Sequence, residues 1–518
     1  MWRSHIRFII GVLSNYSLSL AERDTPNQNT LKTTFQFFAR MNVISKSRYL
    51  EGLWCPLLFW CRFNDPSRIP ELDRMSLFRM SVGHRIGDLA KGLFQGGVEV
   101  PHGSDSIRRT LELLERRVPL FEPAFSSDGL FCKVDLLVPA HEDEWDLFEV
   151  KSSTKVEEKH LLDVAFQLYV LKLCNVKVRS ASVIVVNNEY VRRGELDVSG
   201  LLSSYDVTDE VLPLVSEVAD NVAFLRDVLS GPEPKVSYGI DCREPDKCPV
   251  CSKVLEGFSI FRLHRFRSKA YELINEGIID LDSIPGDVRL SDKQRIQVDC
   301  ERSGKLHVDV PLLREFLGGV EYPLHLLDFE SFNSAIPLFD DTRAYEHVPF
   351  QFSLHVVKSR GAEPEHFEFL AEPKGDPRAQ LLDALRVVGP SGSVMAFNVG
   401  FERRMLEQLC DLFPESSSFL HGIIDRLVDL QVVFRDFVIY HPDQHGKTGM
   451  KAVLPALTGK SYGDLDVSRG DEAMVLFQEA LESGRRLSEG ERRALLEYCA
   501  LDTQGMLDIL RRLYDLAS

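Results

Sequence analysis

Two acidic side chains stand two residues apart at the end of the apolar run 324–330. The run predicts a strand, and residues two apart on a strand share a face, so Asp328 and Glu330 should project together. Like charges side by side are unfavourable unless a cation neutralises them. A solvated strand edge would also explain the pair, but the apolar residues before it favour a metal-binding pair.

Two further acidic positions lie downstream. A β-like run over 394–397 leads through Asn398 into a predicted helix, with Glu402 near its first turn. An acid there also complements the helix macrodipole, which by itself explains it. In the predicted helix 488–513, Tyr498 and Asp502 are four residues apart and therefore lie on one face. Such a pair is commonplace when it is considered alone.

Taken in order, the motifs Asp-x-Glu, Asn-x-x-Phe-Glu and Tyr-x-x-x-Asp resemble the tyrosine-bearing subclass of the DEDD exonuclease superfamily, which has a DnaQ-like (RNase H-like) fold. The resemblance covers about 322–518 and implies 3′–5′ exonuclease chemistry. The implied site residues are Asp328 as a bridging ligand, Glu330, Glu402 and Asp502 as further ligands of Mg²⁺ or Mn²⁺, and Tyr498 to orient the attacking water. Glu402 stands where the family usually has aspartate, and Asp429 is a reserve ligand.

The expected metal follows from the chemistry of these side chains. Hard carboxylate oxygens suit Mg²⁺ or Mn²⁺. Two such ions ~4 Å apart can activate water and stabilise the leaving oxygen in phosphodiester hydrolysis.

A second acidic set lies in the N-terminal half, on two predicted adjacent strands over 131–138 and 145–151. Glu149 and Lys151 share a face by the two-residue rule, and Asp135 precedes them. The pattern resembles the PD-(D/E)XK nuclease fold. That resemblance implies that Asp135 and Glu149 hold a metal ion, while Lys151 positions water or stabilises charge at phosphorus. Glu-x-Lys alone is weak, because ion-paired strand surfaces form it constantly.

The predicted helix 157–174 carries a polar stripe that includes Gln167. Polar stripes usually mark a solvated face. Gln167 also matches the glutamine that follows the lysine in RecB-type nucleases, and His84 matches their upstream histidine. The tyrosine usually found four residues after the glutamine is replaced by Leu171. A core or surface histidine is the ordinary alternative for His84.

Three of the ten cysteines, Cys242, Cys248 and Cys251, lie within ten residues, and Cys55 lies far upstream. In a protein without a convincing export signal, such a group predicts a metal site rather than disulfides. One early and three late cysteines around a RecB-like core resemble the CRISPR-associated and AddB-type exonucleases that carry a [4Fe–4S] cluster. Four thiolates could equally hold structural zinc. The resemblance favours iron–sulfur, and Cys61 is a possible substitute for Cys55.

A basic stretch opens the segment after the cysteines. Its members are Arg262, Arg265, Arg267 and Lys269. We expect these side chains to grip the phosphate backbone of DNA or RNA. A plain spacer between domains is an equally good interpretation of the segment.

The elements that must position these residues indicate an α/β protein of roughly three domains, given 518 residues. From residue 322, apolar strands alternate with amphipathic helices, which is typical of a domain with a central sheet. The predicted organisation is a poorly ordered extension over 1–42, a RecB-like PD-(D/E)XK domain with the four cysteines over 43–255, a helical connector over 256–320 and a DnaQ-like exonuclease domain over 321–518. Together with the opening motif 45–56, this combination resembles a bacterial family of unknown function.

The charge and hydropathy of the chain limit the classes of function that it can have. The formal net charge of −17 argues against broad adhesion to nucleic acid or anionic lipid, although a local basic channel can coexist with an acidic exterior. Apolar runs fall well short of ~18 residues, so no transmembrane helix is predicted. The patch 8–13 mimics a signal peptide but lacks an Ala-x-Ala site. We therefore expect a cytoplasmic protein, and we interpret the first forty residues as an extension upstream of a true start at Met41.

Two functions from different classes follow. The first is a metal-dependent nuclease with an exonuclease site and a second, RecB-like site. The alternative is a non-catalytic nucleic-acid-binding or adaptor protein with a structural iron–sulfur or zinc site.

Overall fold

The computed structural model describes residues 43–256, 259–463, 465–467 and 469–518. The predicted extension 1–42 lies outside the described residues. The architecture is mixed α/β, with helices packed against several sheets, so the predicted α/β class is confirmed. The largest hydrophobic cores lie in the N-terminal and C-terminal parts of the chain.

The N-terminal part is built on a six-stranded and a three-stranded sheet. Its strands are β1 (Ile44–Ser45), β2 (Val98–Glu99), β3 (Leu120–Phe121), β4 (Ala124–Ser127), β5 (Leu130–Lys133), β6 (Leu136–Pro139), β7 (Glu144–Val150), β8 (Lys177–Val186) and β9 (Leu202–Asp206). Its helices are α1 (Lys46–Trp54), α2 (Pro56–Asn64), α3 (Arg74–Lys91), α4 (Ser106–Leu114), α5 (Glu158–Leu173), α6 (Val198–Leu201) and α7 (Thr208–Ser230). The strand orders are β2-β3-β6-β7-β8-β9 and β1-β5-β4.

Strand β7 shows how this sheet presents a carboxylate to the interior. Its residues alternate between buried and half-buried, so that Trp145, Leu147 and Glu149 all lie on the buried face. Glu149 thus occupies a position that the alternation reserves for apolar side chains. A buried carboxylate there needs partners of opposite charge.

The single strand predicted over 131–138 is in fact two strands in different sheets. Strand β5 pairs with β4, whereas β6 pairs with β3 and β7. The chain changes sheets at Val134 and Asp135, whose backbone groups bond to Pro123 and Glu122. The apolar alternation continues across this break, which is why the pattern predicted one strand.

A mostly helical segment joins the two parts. Its elements are α8 (Cys251–Leu255), α9 (Arg267–Asn275), α10 (Asp292–Ser303), β10 (His307–Val308) and α11 (Val310–Gly318). A small hydrophobic cluster that includes Leu263, Leu273 and Val298 holds α9 and α10 together.

The C-terminal part is built on a five-stranded sheet of order β13-β12-β11-β14-β15. Its strands are β11 (Leu324–Asn333), β12 (His347–Val357), β13 (Glu365–Leu370), β14 (Val394–Ala396), β15 (Leu427–Asp429) and β16 (Ile439–Tyr440), the last of which pairs with β10. Its helices are α12 (Arg378–Leu385), α13 (Val399–Leu412), α14 (Ser417–Ile424), α15 (Val432–Arg435), α16 (Met450–Thr458), α17 (Gly470–Glu482) and α18 (Glu489–Ala517).

The central strand β11 separates two hydrophobic cores. Leu324 and Leu326 belong to the core that α18 completes, whereas Leu327 and Phe329 belong to the core under α13. Because side chains alternate across a strand, the residues that continue the α18 face are 328 and 330. A capping box in which Ser488 and Glu491 bond each other's backbone N–H groups fixes the start of α18.

Candidate functional site

Three carboxylates converge over the C-terminal sheet. Asp328 and Glu330 lie on one face of β11, and Asp502 reaches them from α18, which packs on that face. One oxygen of each carboxylate lies within 4.8 Å of the other two. They line a cavity of about 380 Å³ together with Tyr498. Three of the four acids in the predicted exonuclease motifs therefore form a group that could bind a divalent ion.

The electrostatics of this group suit a cation. Burial, and next the charges of Asp502 and Glu330, raise the pKa of Asp328 well above its ordinary range. Burial also raises the pKa of Asp502 to about 6, although Tyr462 and Lys451 oppose the rise. A divalent cation between the oxygens would remove the repulsion that causes part of these shifts. The donor set therefore fits a hard metal ion.

Glu402 lies beside the group, in the first turn of α13, and is only 4% exposed. It raises the pKa of Asp328 and Glu330, although it is not one of the three acids within 4.8 Å. Burial raises the pKa of Glu402 itself to about 8, and its Oε2 has no hydrogen-bond partner among the described residues. The reserve ligand Asp429 instead accepts a hydrogen bond from the backbone N–H of Gln431 at 2.9 Å.

Three residues in or beside this cavity were not found from the sequence. The Tyr462 hydroxyl donates a hydrogen bond to Asp502 Oδ1. Lys451 Nζ lies 5.4 Å from the Tyr498 ring centre, and burial lowers the pKa of this lysine. A Cβ on Gly470, at the start of α17, would lie 3.6 Å from the Tyr498 hydroxyl. The available signal was the polar loop 441–449, which leads directly to Lys451.

The N-terminal acids form a different kind of cluster. Glu149 Oε1 lies 2.6 Å from Lys151 Nζ and 2.8 Å from Lys46 Nζ. Gln167 Nε2 donates to Glu149 Oε2 at 2.8 Å. Lys151 Nζ also contacts Asp163 Oδ2 at 2.6 Å. The predicted residues Glu149, Lys151 and Gln167 are thus brought together, and Lys46 and Asp163 join them.

The two lysines neutralise Glu149 from within the protein. Burial opposes its ionisation, but Lys151 and Lys46 outweigh burial and lower the pKa of Glu149. Asp135 is the acid that keeps a proton more readily, because burial and then Glu149 raise its pKa to about 7. Asp135 Oδ2 accepts a hydrogen bond from the Val150 N–H at 2.8 Å. In the described part of the chain, Asp135 and Glu149 belong to no group of three or more close metal-ligand side chains.

His84 lies apart from this network. It is exposed on α3 and makes no hydrogen bond to Glu149 or Lys151 within the described residues. Lys46 was missed because its only signal was membership of the opening motif 45–56. Asp163 had a signal, since it lies on the polar stripe of α5 with Gln167.

Four thiols meet at the other end of the N-terminal part. Cys55, Cys242, Cys248 and Cys251 are fully buried, and their Sγ atoms all lie within 4.8 Å of one another. The Cys55 and Cys251 Sγ atoms are 3.7 Å apart, so they are free thiols rather than a disulfide. Cys61 is also buried but lies outside the group. The arrangement could bind a metal and would join the α1–α2 junction to the segment before α8.

The basic residues of the connector line a separate groove of about 1060 Å³. Arg262, Arg265, Arg267 and Lys269 all contribute to it, as does Lys447 from the C-terminal part. Arg267 pairs with Asp246 at 3.1 Å, and Lys269 pairs with Glu272 at 2.8 Å.

Part of the chain is similar to a family of unknown function. A family model described as a domain of unknown function (DUF2779) matches residues 325–449, about a quarter of the chain. The matched segment contains Asp328, Glu330 and Glu402, and it fits the predicted resemblance to a family of unknown function. No curated protein matches the chain. The crystal structure of SSO0001 is similar to 48% of this chain and 95% of its own, at 10% identity and a TM-score of 0.24.

Within the described residues, no helix is both long and apolar enough to cross a membrane.

Proposed function

We propose that this protein is a metal-dependent nuclease whose principal site is the C-terminal acidic cavity, a DnaQ-like (RNase H-like) 3′–5′ exonuclease site acting on DNA or RNA. The observation that carries the proposal is the convergence of Asp328, Glu330 and Asp502 in one cavity with Tyr498. Carboxylates gathered this closely cost free energy unless a cation joins them. The reaction class is proposed from the order of the motifs along the chain, which resembles that of the DEDD exonucleases.

The roles of the residues follow from their positions. Asp328, Glu330 and Asp502 would hold Mg²⁺ or Mn²⁺, with Glu402 as the fourth acid. Such ions supply the activation of water and the stabilisation of the leaving oxygen. The Tyr498 hydroxyl faces the same cavity and would orient the attacking water. Tyr462 fixes the carboxylate of Asp502 through its hydrogen bond.

The N-terminal network is proposed as a second, RecB-like PD-(D/E)XK site. Glu149, Lys151 and Gln167 make the contacts that this assignment needs. A metal ion held by Asp135 and Glu149 would have to displace Lys46 from Glu149 Oε1, because that oxygen already contacts two ammonium groups. This requirement favours the C-terminal cavity as the stronger nuclease site.

The four cysteines are proposed to hold a [4Fe–4S] cluster, with structural zinc as the alternative. The resemblance favours the cluster, whereas the spacing of the sulfurs favours zinc. Zn–S bonds of ~2.3 Å put tetrahedral sulfurs ~3.8 Å apart, close to the 3.7 Å between the Cys55 and Cys251 Sγ atoms. A [4Fe–4S] cluster would require the four sulfurs to move outward from their present separations within 4.8 Å. Anaerobic purification followed by iron, sulfide and zinc analysis distinguishes them. A brown protein with about four irons supports the cluster, whereas a colourless protein with one zinc overturns it.

The test of the nuclease proposal uses the full chain, Mn²⁺ and end-labelled single- and double-stranded DNA and RNA. Asp328→Asn removes a metal ligand itself. It should therefore reduce cleavage by more than the ~10–100-fold loss that follows from removing a hydrogen-bond partner of a metal ligand. Glu497→Gln, an exposed acid on the same helix as Asp502, is the matched control and should cleave normally.

A parallel Glu149→Gln variant divides the activity between the two sites. Cleavage that survives Glu149→Gln but not Asp328→Asn assigns all activity to the C-terminal cavity. Binding of nucleic acid with no cleavage under any of these conditions would refute the nuclease and favour the non-catalytic adaptor.

A further inference from the structure

The basic groove is formed jointly by the connector and by the loop that precedes α16. Five cationic side chains line it against two acidic ones. The cationic residues are Arg262, Arg265, Arg267, Lys269 and Lys447, and the acidic residues are Asp246 and Glu256. The groove is therefore positively charged on a protein whose formal net charge is −17.

The walls of the groove are held by buried contacts. Gln297 is 1% exposed, accepts a hydrogen bond from the His264 N–H at 2.6 Å and donates one to the Arg262 carbonyl at 3.0 Å. On the opposite wall, Gly446 has a positive φ of 77°, and a Cβ there would lie 1.9 Å from the Arg262 carbonyl oxygen. Only glycine allows this approach, so the two walls are fixed relative to each other.

One loop lines both the groove and the acidic cavity. Lys447 lines the groove and Gly449 lines the cavity, with only Thr448 between them. Two residues of chain span at most ~7 Å. Lys451, two residues further on, lies inside the cavity beside the acids.

We propose that this groove binds a single strand of nucleic acid and leads its end to Asp328, Glu330 and Asp502; the inference rests on the proposed nuclease function and adds its substrate class. Cations that follow a phosphate backbone next to aromatic side chains are the combination that binds single strands. Phe261 is the half-buried aromatic side chain in the wall, whereas Phe266 lines the groove from the buried cluster beneath it.

The existing contacts of the cations leave them available to phosphate. The pairs of Arg267 with Asp246 and of Lys269 with Glu272 are exposed on their basic side, and such pairs contribute little stability. Arg262 donates to the His445 ring nitrogen at 3.1 Å and forms no ion pair with a carboxylate among the described residues.

The test measures the binding of a labelled 20-nucleotide oligothymidine by fluorescence anisotropy in EDTA, where cleavage cannot occur. The triple variant Arg262→Ala, Arg265→Ala, Lys447→Ala should bind at least about tenfold more weakly, and the slope of log K against log salt should fall by about 2. The matched control removes three exposed cations elsewhere, Arg108→Ala, Arg109→Ala, Arg193→Ala. Thermal unfolding checks that both variants fold.

A small phosphodiester, bis(p-nitrophenyl) phosphate, reports on the acidic cavity alone, because it is too short to occupy the groove. The triple variant should hydrolyse it with Mn²⁺ at the wild-type rate while it loses oligonucleotide cleavage. Equal oligonucleotide binding by the triple and control variants would overturn the proposal that the groove binds nucleic acid. It would leave the nuclease proposal intact. Tighter binding of a blunt duplex than of the single strand would also overturn the proposal for the groove. If wild type hydrolyses neither substrate, the nuclease proposal is refuted. Weaker oligonucleotide binding by the triple variant would then still support the groove as a binding site for nucleic acid.

Discussion

The charge state of Glu402 should respond to pH in the neutral to mildly alkaline range. Its folded-state pKa is about 8, against an ordinary value of 4.5, because it is buried. Between these values the folded protein keeps a proton that the unfolded chain releases, so the free energy of unfolding falls as pH rises. The stabilisation is complete below the ordinary pKa and is lost as pH rises through 8. This holds for the metal-free protein.

Glu402→Gln removes that ionisation and replaces the protonated acid with a side chain of the same shape. In EDTA, we expect the Tm of the variant to equal that of wild type near pH 5. It should exceed the wild-type Tm by several degrees at pH 8.5, given 1.36 kcal/mol per pKa unit and ~2–4 °C per kcal/mol. Calorimetry across pH measures this. A pH-independent difference, or the same gain in Glu497→Gln, contradicts the prediction.

Tyr462 should tune metal binding through a single hydrogen bond. Its hydroxyl donates to Asp502 Oδ1 and so orients that carboxylate. In Tyr462→Phe, the loss of ~0.5–1.5 kcal/mol should weaken Mn²⁺ binding roughly 2–10-fold. Titration calorimetry with Mn²⁺ measures the change. The half-exposed Tyr205, mutated to Phe, is the control, and an unchanged affinity in Tyr462→Phe would show that the bond does not position Asp502.

At the scale of the elements, the cysteine group should staple α1 and α2 to the segment that follows α7. We expect Cys55→Ser to lose the bound metal and to lower the Tm, because only three thiolates remain. Cys61→Ser is the matched control, since Cys61 is equally buried but lies outside the group. Metal analysis and calorimetry measure both effects. If Cys55→Ser retains the metal and Cys61→Ser loses it, Cys61 rather than Cys55 is the fourth ligand.

The elements with a strong local pattern are the ones that the sequence located best. The apolar run before Asp328 indicates a strand, and the structure has β11 over Leu324–Asn333. The four-residue spacing of Tyr498 and Asp502 indicates one helix face, and both lie on α18. The break at Asp135 was missed because every second residue across it, Leu130, Cys132, Val134 and Leu136, is buried as in one continuous strand.

Contacts between distant residues could not be read from any local pattern. Lys46 and Glu149 are 103 residues apart, and Tyr462 and Asp502 are 40 apart. Neither Lys46 nor Tyr462 lies in a periodic array that reveals its partner, because tertiary packing alone brings each one to its carboxylate. Three of the four predicted acids therefore gather in the C-terminal cavity, with Glu402 beside them, but the sequence missed most of the residues that compensate their charge.

At the scale of the whole molecule, one segment links the two candidate sites. Residues 334–346 follow β11 directly and pack against the N-terminal sheet, where Ala335 and Ala344 share a core with Ile86 and Val186. The Tyr345 hydroxyl in this segment donates to the Ser152 carbonyl, one residue after Lys151. The strand that carries Asp328 and Glu330 is therefore continuous with a segment that contacts the chain just after β7, next to Lys151.

Arg192 anchors this segment from the N-terminal part. Its Nη1 donates to the carbonyls of Pro337 at 2.9 Å and Leu338 at 3.2 Å. Its backbone N–H and carbonyl also bond to Thr342 and Asp341. An arginine side chain that satisfies two backbone carbonyls leaves both without partners when it is removed. The attachment of the two parts should therefore depend on this side chain.

We expect Arg192→Ala to separate the unfolding of the two parts. Wild type should unfold in one calorimetric transition that Mn²⁺ raises as a whole, because a ligand of the C-terminal cavity stabilises whatever unfolds with it. In Arg192→Ala, two transitions should appear, and Mn²⁺ should raise only one. The neighbouring Arg193→Ala is the control. The Arg193 side chain is 82% exposed, and its contact with Asp341 is long, at 3.9 Å from Nε to Oδ1. If Arg192→Ala keeps one Mn²⁺-responsive transition, other contacts are sufficient to join the two parts, among them the ion pairs of α3 with α17, Arg74–Glu479 and Arg85–Glu482.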